Sequence, residues 1–124
     1  MNFEIEKKGS YTLVISKVEK LDSQVVNELK SHFAAISSAS DRNIIFDLSL
    51  TRYCDSSGLS AILIGNRLCK DAKGSFIIAG VNSAIKKIIS IAQLNKVLKI
   101  LPTLSEAVDY LFMEEIERQL DDQE

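Results

Sequence analysis

Asn43 to Leu59 reads NIIFDLSLTRYCDSSGL. Ile44, Ile45, Phe46 and Leu48 form a dense apolar run, β-branched and aromatic at its start, which predicts a strand covered on both faces. The run leads through Ser49 to Cys54 into Asp55-Ser56-Ser57-Gly58, and an apolar, helix-compatible segment follows at once. A buried strand thus delivers two hydroxyls and a carboxylate to the mouth of a helix. The first N–H groups of a helix lack internal partners, and the helix dipole is positive there. That junction can accept a phosphate without refolding.

Outward from this stretch, the chain alternates strands and helices. Phe3 to Glu6 and Tyr11 to Val18 read as two strands joined by turn chemistry at Lys8-Gly9-Ser10. Leu21-Asp22-Ser23 opens a helix with Asp22 as the expected N-cap, and Val25, Leu29, Phe33 and Ile36 share one face. Ser37 to Ser40 reads as the loop that ends it. After the central strand, a second helix is expected from Ser57 to Ala72. Ala61, Ile62, Ile64, Leu68, Cys69 and Ala72 gather on its broad apolar side. Ser60, Asn66, Arg67, Lys70, Asp71 and Lys73 occupy the other, with Leu63 among them near the junction. Leu63 reads equally as an incidental exposed leucine or as an anchor for a partner.

Lys73-Gly74-Ser75 is expected to close the second helix with a C-terminal glycine. Phe76 to Val81 reads as another buried strand. Asn82 or Ser83 caps a third helix carrying Ile85, Ile88, Ile89 and Ala92 on one face. Val97 to Leu101 reads as the last strand, stopped by Pro102. Thr103 and Glu106 have capping-box spacing. The final helix is expected to turn Ala107, Val108, Leu111, Phe112, Ile116 and Leu120 inward. The order β-β-α-β-α-β-α-β-α implies an α/β fold, with a mixed sheet of about five strands packed by four helices.

The 124 residues suit one compact domain spanning 1–124. Charged residues make up 26% and the formal net charge is −2, so no basic field exists to hold nucleic acid. No apolar run is long enough to span a bilayer, and the N-terminus has no signal core. A cytoplasmic protein without direct membrane contact is expected. Cys54 and Cys69 belong to no C-x-x-C pair and read as buried thiols in a reducing compartment. The one histidine, His32, lies on a helix flank without a nucleophile to serve and reads as a half-exposed surface residue. There is no G-x-S-x-G elbow, zinc spacing, Walker A or G-x-G-x-x-G, so an enzyme, a metal site and a bound cofactor are not expected.

On its own, D-S-S-G before a helix is ordinary capping chemistry. A cap needs one side chain, however, and here Asp55, Ser56 and Ser57 crowd one turn at the end of a buried strand, where sheets present sites. With IIFDLSLTRYCDSSGLSAIL and Leu21-Asp22, nearly the whole chain resembles the STAS domain, named for sulfate transporters and anti-sigma factor antagonists. It is most similar to the small stand-alone bacterial antagonists. Phe76 to Val81 and Leu94 to Leu101 match more loosely. The family's glycine before the leucine at Leu94 is replaced by Gln93.

The resemblance implies a STAS-like sheet and a partner switch. Ser57 stands at the family's phosphoacceptor position, supported by Asp55, Ser56, Gly58 and Asp22. The implied partners are an anti-sigma factor that is also an ATP-dependent serine kinase, and a PP2C-type phosphatase. Leu59, Leu63, Asn66 and Arg67 are the candidate partner-binding residues on the second helix. An adaptor subunit of a transporter ATPase, never phosphorylated, is the alternative. A small-ligand or nucleotide binder is a third.

Overall fold

The computed structural model describes residues 1–122. The strands are β1 (Phe3–Lys7), β2 (Thr12–Ser16), β3 (Lys20–Leu21), β4 (Ile44–Asp47), β5 (Tyr53–Cys54), β6 (Phe76–Ala79) and β7 (Lys99–Leu101). The helices are α1 (Val26–Ser38), α2 (Ser56–Asp71), α3 (Ser83–Ile91) and α4 (Leu104–Asp122). The five-stranded sheet runs β1-β2-β4-β6-β7. Its opening hairpin is antiparallel and every other pairing is parallel. The expected mixed sheet and four helices are therefore present.

Two elements were not expected. β3 and β5 form a separate parallel pair, Lys20 opposite Tyr53 and Leu21 opposite Cys54. Each has only two residues, too few for a periodic signal.

The central strands are continuous apolar runs because both faces of the sheet are covered. On one face, Phe33 of α1 meets Phe46 and Phe76 edge-on, with ring centroids 5.5 and 5.6 Å apart. Leu29, Ile62 and Ile89 complete that layer from the three helices α1, α2 and α3. On the other face, Ala107 and Leu111 of α4 pack on Leu13, Ile45 and Ile77.

Helix α4 corrects the expected inward face. Phe112, Ile116 and Leu120 are about half exposed. Beyond Leu111 the inward positions are polar and reach the N-terminal ends of β4 and β6. Asn43 Nδ2 donates to Glu115 Oε1 at 2.7 Å, and Ser75 Oγ donates to Glu114 Oε1 at 2.7 Å. Arg118 donates to Ser75 Oγ at 2.9 Å and also to Glu115. Strand ends offer unpaired polar groups, so carboxylates and a guanidinium fit there better than hydrocarbon does.

The helix ends differ from expectation in an instructive way. Asp22 does not cap α1. Its carboxylate accepts from the Gln24 N–H at 3.1 Å within the preceding turn, and Val25 occupies the N-cap without a side-chain bond. Helix α2 closes through Lys73, not Gly74, in the left-handed region at φ 62°. Gly74 follows it because a Cβ there would lie 1.9 Å from the Arg42 carbonyl oxygen. At the end of α3, Gln93 takes φ 61°, while the Gln93 and Leu94 N–H groups reach back to Ser90 and Ile89 carbonyls. This is a Schellman closure, normally a glycine position. Val97 lies outside β7 and is exposed, its N–H bonded to the Leu94 carbonyl.

Candidate functional site

The small β3–β5 pair sits where the chain leaves the main sheet and enters α2. The Asp55 N–H donates to the Leu21 carbonyl at 3.2 Å, joining the two segments just before the helix. Asp55 is extended, with φ −94° and ψ −174°, as an N-cap requires. Its Oδ1 accepts from the Gly58 N–H at 2.9 Å. The helix therefore begins one residue earlier than expected, at Ser56. Ser56 and Ser57 occupy its first and second positions, where N–H groups have no intrahelical acceptor.

Ser56 is exposed and Ser57 half-buried. Gly58 is buried, and its lack of a side chain is required. A Cβ there would lie 2.3 Å from the Leu21 carbonyl oxygen and 2.6 Å from Cys54 Sγ. The D-S-S-G order thus has a steric cause. The glycine lets the first turn press on the β3–β5 pair, while Ser56 is exposed. With its cap acceptor already used on Gly58, the α2 terminus keeps two unsatisfied donors for an anion.

Buried polar groups hold the floor of this corner. The Ser16 and Thr51 hydroxyls are 2.7 Å apart, and Thr51 Oγ1 donates to the Val18 carbonyl at 2.8 Å. Asn82, the N-cap of α3, accepts from the Ile85 N–H at 2.8 Å and donates through Nδ2 to the Arg52 carbonyl at 3.1 Å. Three loops at the C-terminal ends of β2, β4 and β6 are thereby tied together beside the serines.

A hollow of about 420 Å³ opens next to them, walled by Tyr53, Asp55, Ser56 and Leu59 on one side and by Ile88, Ile91 and Ala92 of α3 on the other. Ile91 is 72% exposed and Tyr53 47%. An exposed apolar hollow bordered by Ser56 at a helix terminus suits protein docking. The residues read from the sequence map onto this corner unevenly. Leu59 and Leu63 are half-buried against the core, and Arg67 is exposed. Asn66 is only 7% exposed, which corrects its placement on the polar side of α2. Tyr53, Ile88 and Ile91 were missed. The signal for Ile88 and Ile91 was present in IKKIISIA, which carries more isoleucine than one helix face can bury; Tyr53, in a two-residue strand, had none.

Cys54 offers no nucleophile. Burial first, and the Asp55 carboxylate second, push its thiol up to about 12, while burial pushes Cys69 to a similar value. His32 is partly exposed, 3.6 Å from the Glu28 carboxylate. Among the described residues, no group of three His, Cys, Asp or Glu side chains is placed to hold a metal ion. No described helix is long and apolar enough to cross a membrane.

The STAS domain family model matches residues 2–107 of the chain. The chain belongs to the STAS domain family. Solved structures repeat the fold at low identity. An anti-sigma factor antagonist from Mycobacterium paratuberculosis is 19% identical, with TM-score 0.79, covering 88% of this chain and 92% of its own. RsbS from Moorella thermoacetica is 18% identical, with TM-score 0.77, covering 95% and 99%. The Bacillus cell fate determinant SpoIIAA in its phosphorylated form is 19% identical, with TM-score 0.69, covering 87% and 97%. Its unphosphorylated form, described as an anti-sigma factor antagonist, gives TM-score 0.70. The STAS match ends at Ala107, so the Glu114–Glu115–Arg118 contacts lie in an extension of α4 beyond it.

Proposed function

We propose that this STAS protein is an anti-sigma factor antagonist that works by partner switching. In its unmodified state it binds an anti-sigma factor through the α2 terminus and the adjoining hollow. That partner is also a serine kinase and transfers the γ-phosphoryl group of ATP to the Ser57 hydroxyl. A PP2C-type phosphatase removes it. The protein itself needs no cofactor and catalyses nothing, and the exchange takes place in the cytoplasm.

The observation that supports this reading is the position of Ser57, half-buried at the second position of α2, on a turn whose cap carboxylate is already bonded to Gly58. Phosphorylation adds about −1.5 to −2 charges at that point. The helix terminus tolerates them, so the fold need not change. The near-equal overlay on both forms of SpoIIAA is in keeping with this. A partner surface fitted to a neutral hydroxyl and to Tyr53, Ile88 and Ile91 would have to desolvate the new anion beside Asp55. That costs several kcal/mol without a compensating cation.

The test is calorimetric binding of an anti-sigma factor kinase from the same organism. Ser57→Ala should bind as tightly as the unmodified protein whether or not ATP is present, and Ser57→Asp should bind about a hundredfold more weakly. Equal affinities for the two variants would overturn the reading.

A further inference from the structure

Helix α3 has a second flank. Away from the serines, between α3 and the open edge of β7, lies a groove of about 540 Å³. Ile89, Leu98 and Ile100 form its apolar floor, and Lys86 and Lys87 stand on its rim. That volume is sufficient for a ligand or for a few residues of extended peptide.

Charge and backbone geometry narrow the occupant. Between Ala72 and Ser105 the chain carries five lysines and no Asp or Glu. Among the described residues, neither Lys86 nor Lys87 pairs with a carboxylate. The Lys99 ammonium lies 4.5 Å from the Tyr110 ring centroid, and among the described residues it too makes no ion pair with a carboxylate. β7 is an edge strand of the sheet. The Leu101 carbonyl accepts from the Gly80 N–H at 3.1 Å, so Leu101 faces β6. Strand alternation then directs the Ile100 N–H and C=O to the open edge. An edge strand with free backbone groups, beside an apolar groove with a cationic rim, is suited to strand addition.

We propose that the α3–β7 groove binds an acidic extended segment of a partner protein as an added strand beside β7. The other edge of the sheet, β1, is acidic, but its Glu4 and Glu6 already pair with Lys17 and Lys8. Charge complementarity therefore favours a separate partner over a second copy of this chain. This site is distinct from the Ser57 corner, and its occupancy does not depend on phosphorylation.

The test uses the full chain and a fluorescein-labelled hexapeptide of alternating glutamate and valine, with a lysine–valine peptide as its counterpart. Anisotropy titrations should show saturable binding of the acidic peptide and at least about tenfold weaker binding of the basic one. The double variant Lys86→Glu/Lys87→Glu alters exposed side chains only. It should melt like the parent and reverse the preference. Amide exchange at Ile100 should slow about tenfold when the acidic peptide is bound. Equal binding of the two peptides, or none, would overturn the proposal. So would an unaltered preference in the charge-reversed variant, unprotected Ile100, or binding that appears only as the chain self-associates.

Discussion

The Asp55 carboxylate accepts the Gly58 N–H at 2.9 Å, and this one bond sets the reading frame of the site. It starts α2 at Ser56, puts Ser57 on the first turn, and seats the side-chain-free Gly58 against Leu21 and Cys54. The cap and the proposed phosphoacceptor belong to one turn, so the structural role of Asp55 and the role proposed for Ser57 are separable by mutation.

Asp55→Ala should therefore lower stability by about 1 kcal/mol, the usual worth of an N-cap. Asp55→Asn keeps an oxygen acceptor and should cost less than half of that. Urea unfolding of the three proteins checks this. A loss in the asparagine variant equal to that in alanine would show that the carboxylate acts by its charge and not as a cap.

Ile91 projects from α3 into the hollow beside Ser56 and is 72% exposed. Ile91→Asp should leave the melting temperature of the free protein unchanged and weaken binding of the anti-sigma kinase at least about tenfold. A calorimetric titration paired with a thermal melt reads both. Unaltered affinity would remove α3 from the docking surface.

Glu115 ties α4 to the sheet, and its charge makes stability depend on pH. Burial alone raises its pKa, but bonds from Arg118, Asn43 and Arg42 outweigh this and hold it at about 2, well below the usual carboxylate value of 4.5. A group depressed in the folded state stabilises it above the unfolded pKa, and that contribution fades as pH falls toward the folded one. The wild type should lose roughly 2–3 kcal/mol between about pH 4.5 and pH 2 through this group. Glu115→Gln should be less stable at neutral pH and show a correspondingly flatter profile in that window. Denaturant midpoints across the range measure it, and parallel profiles would contradict the assignment.

At the end of α3, Gln93 holds a left-handed conformation that glycine adopts without strain. Gln93→Gly should stabilise the protein by roughly 0.5–1 kcal/mol, the relief of strain exceeding the extra unfolded-state entropy. A lower unfolding midpoint would contradict this.

Periodicity revealed the fold wherever an element was long and its face simple. The apolar runs of β4 and β6 and the stripe Leu29, Phe33, Ile36 could be read directly, as could the capping chemistry of D-S-S-G, though not that Asp55 is the cap. It failed where polar groups face inward. Asn66 is buried on α2, and Glu114, Glu115 and Arg118 form the inner face of α4 past Leu111, so a wheel that assigns polar side chains to solvent inverts both. Phe112 and Ile116 were set inward by the same logic. Two-residue strands such as β3 and β5 carry no pattern at all, yet they form the platform for Ser57. The left-handed ends at Ser40, Lys73 and Gln93 were hidden because none is a glycine. The hollow escaped notice because it joins residues from α2 and α3 that are far apart in the chain.

The central claim is that Ser57 accepts the phosphoryl group and that the ester releases the partner. Intact-mass spectrometry of the protein incubated with its anti-sigma kinase and ATP tests it most directly, coupled to size-exclusion chromatography of the same mixture. The account expects a gain of about 80 Da in the wild type, none in Ser57→Ala, and separation of the modified protein from the kinase. No mass gain, a gain that persists in Ser57→Ala through Ser56, or a modified protein that still co-elutes with the kinase would contradict it.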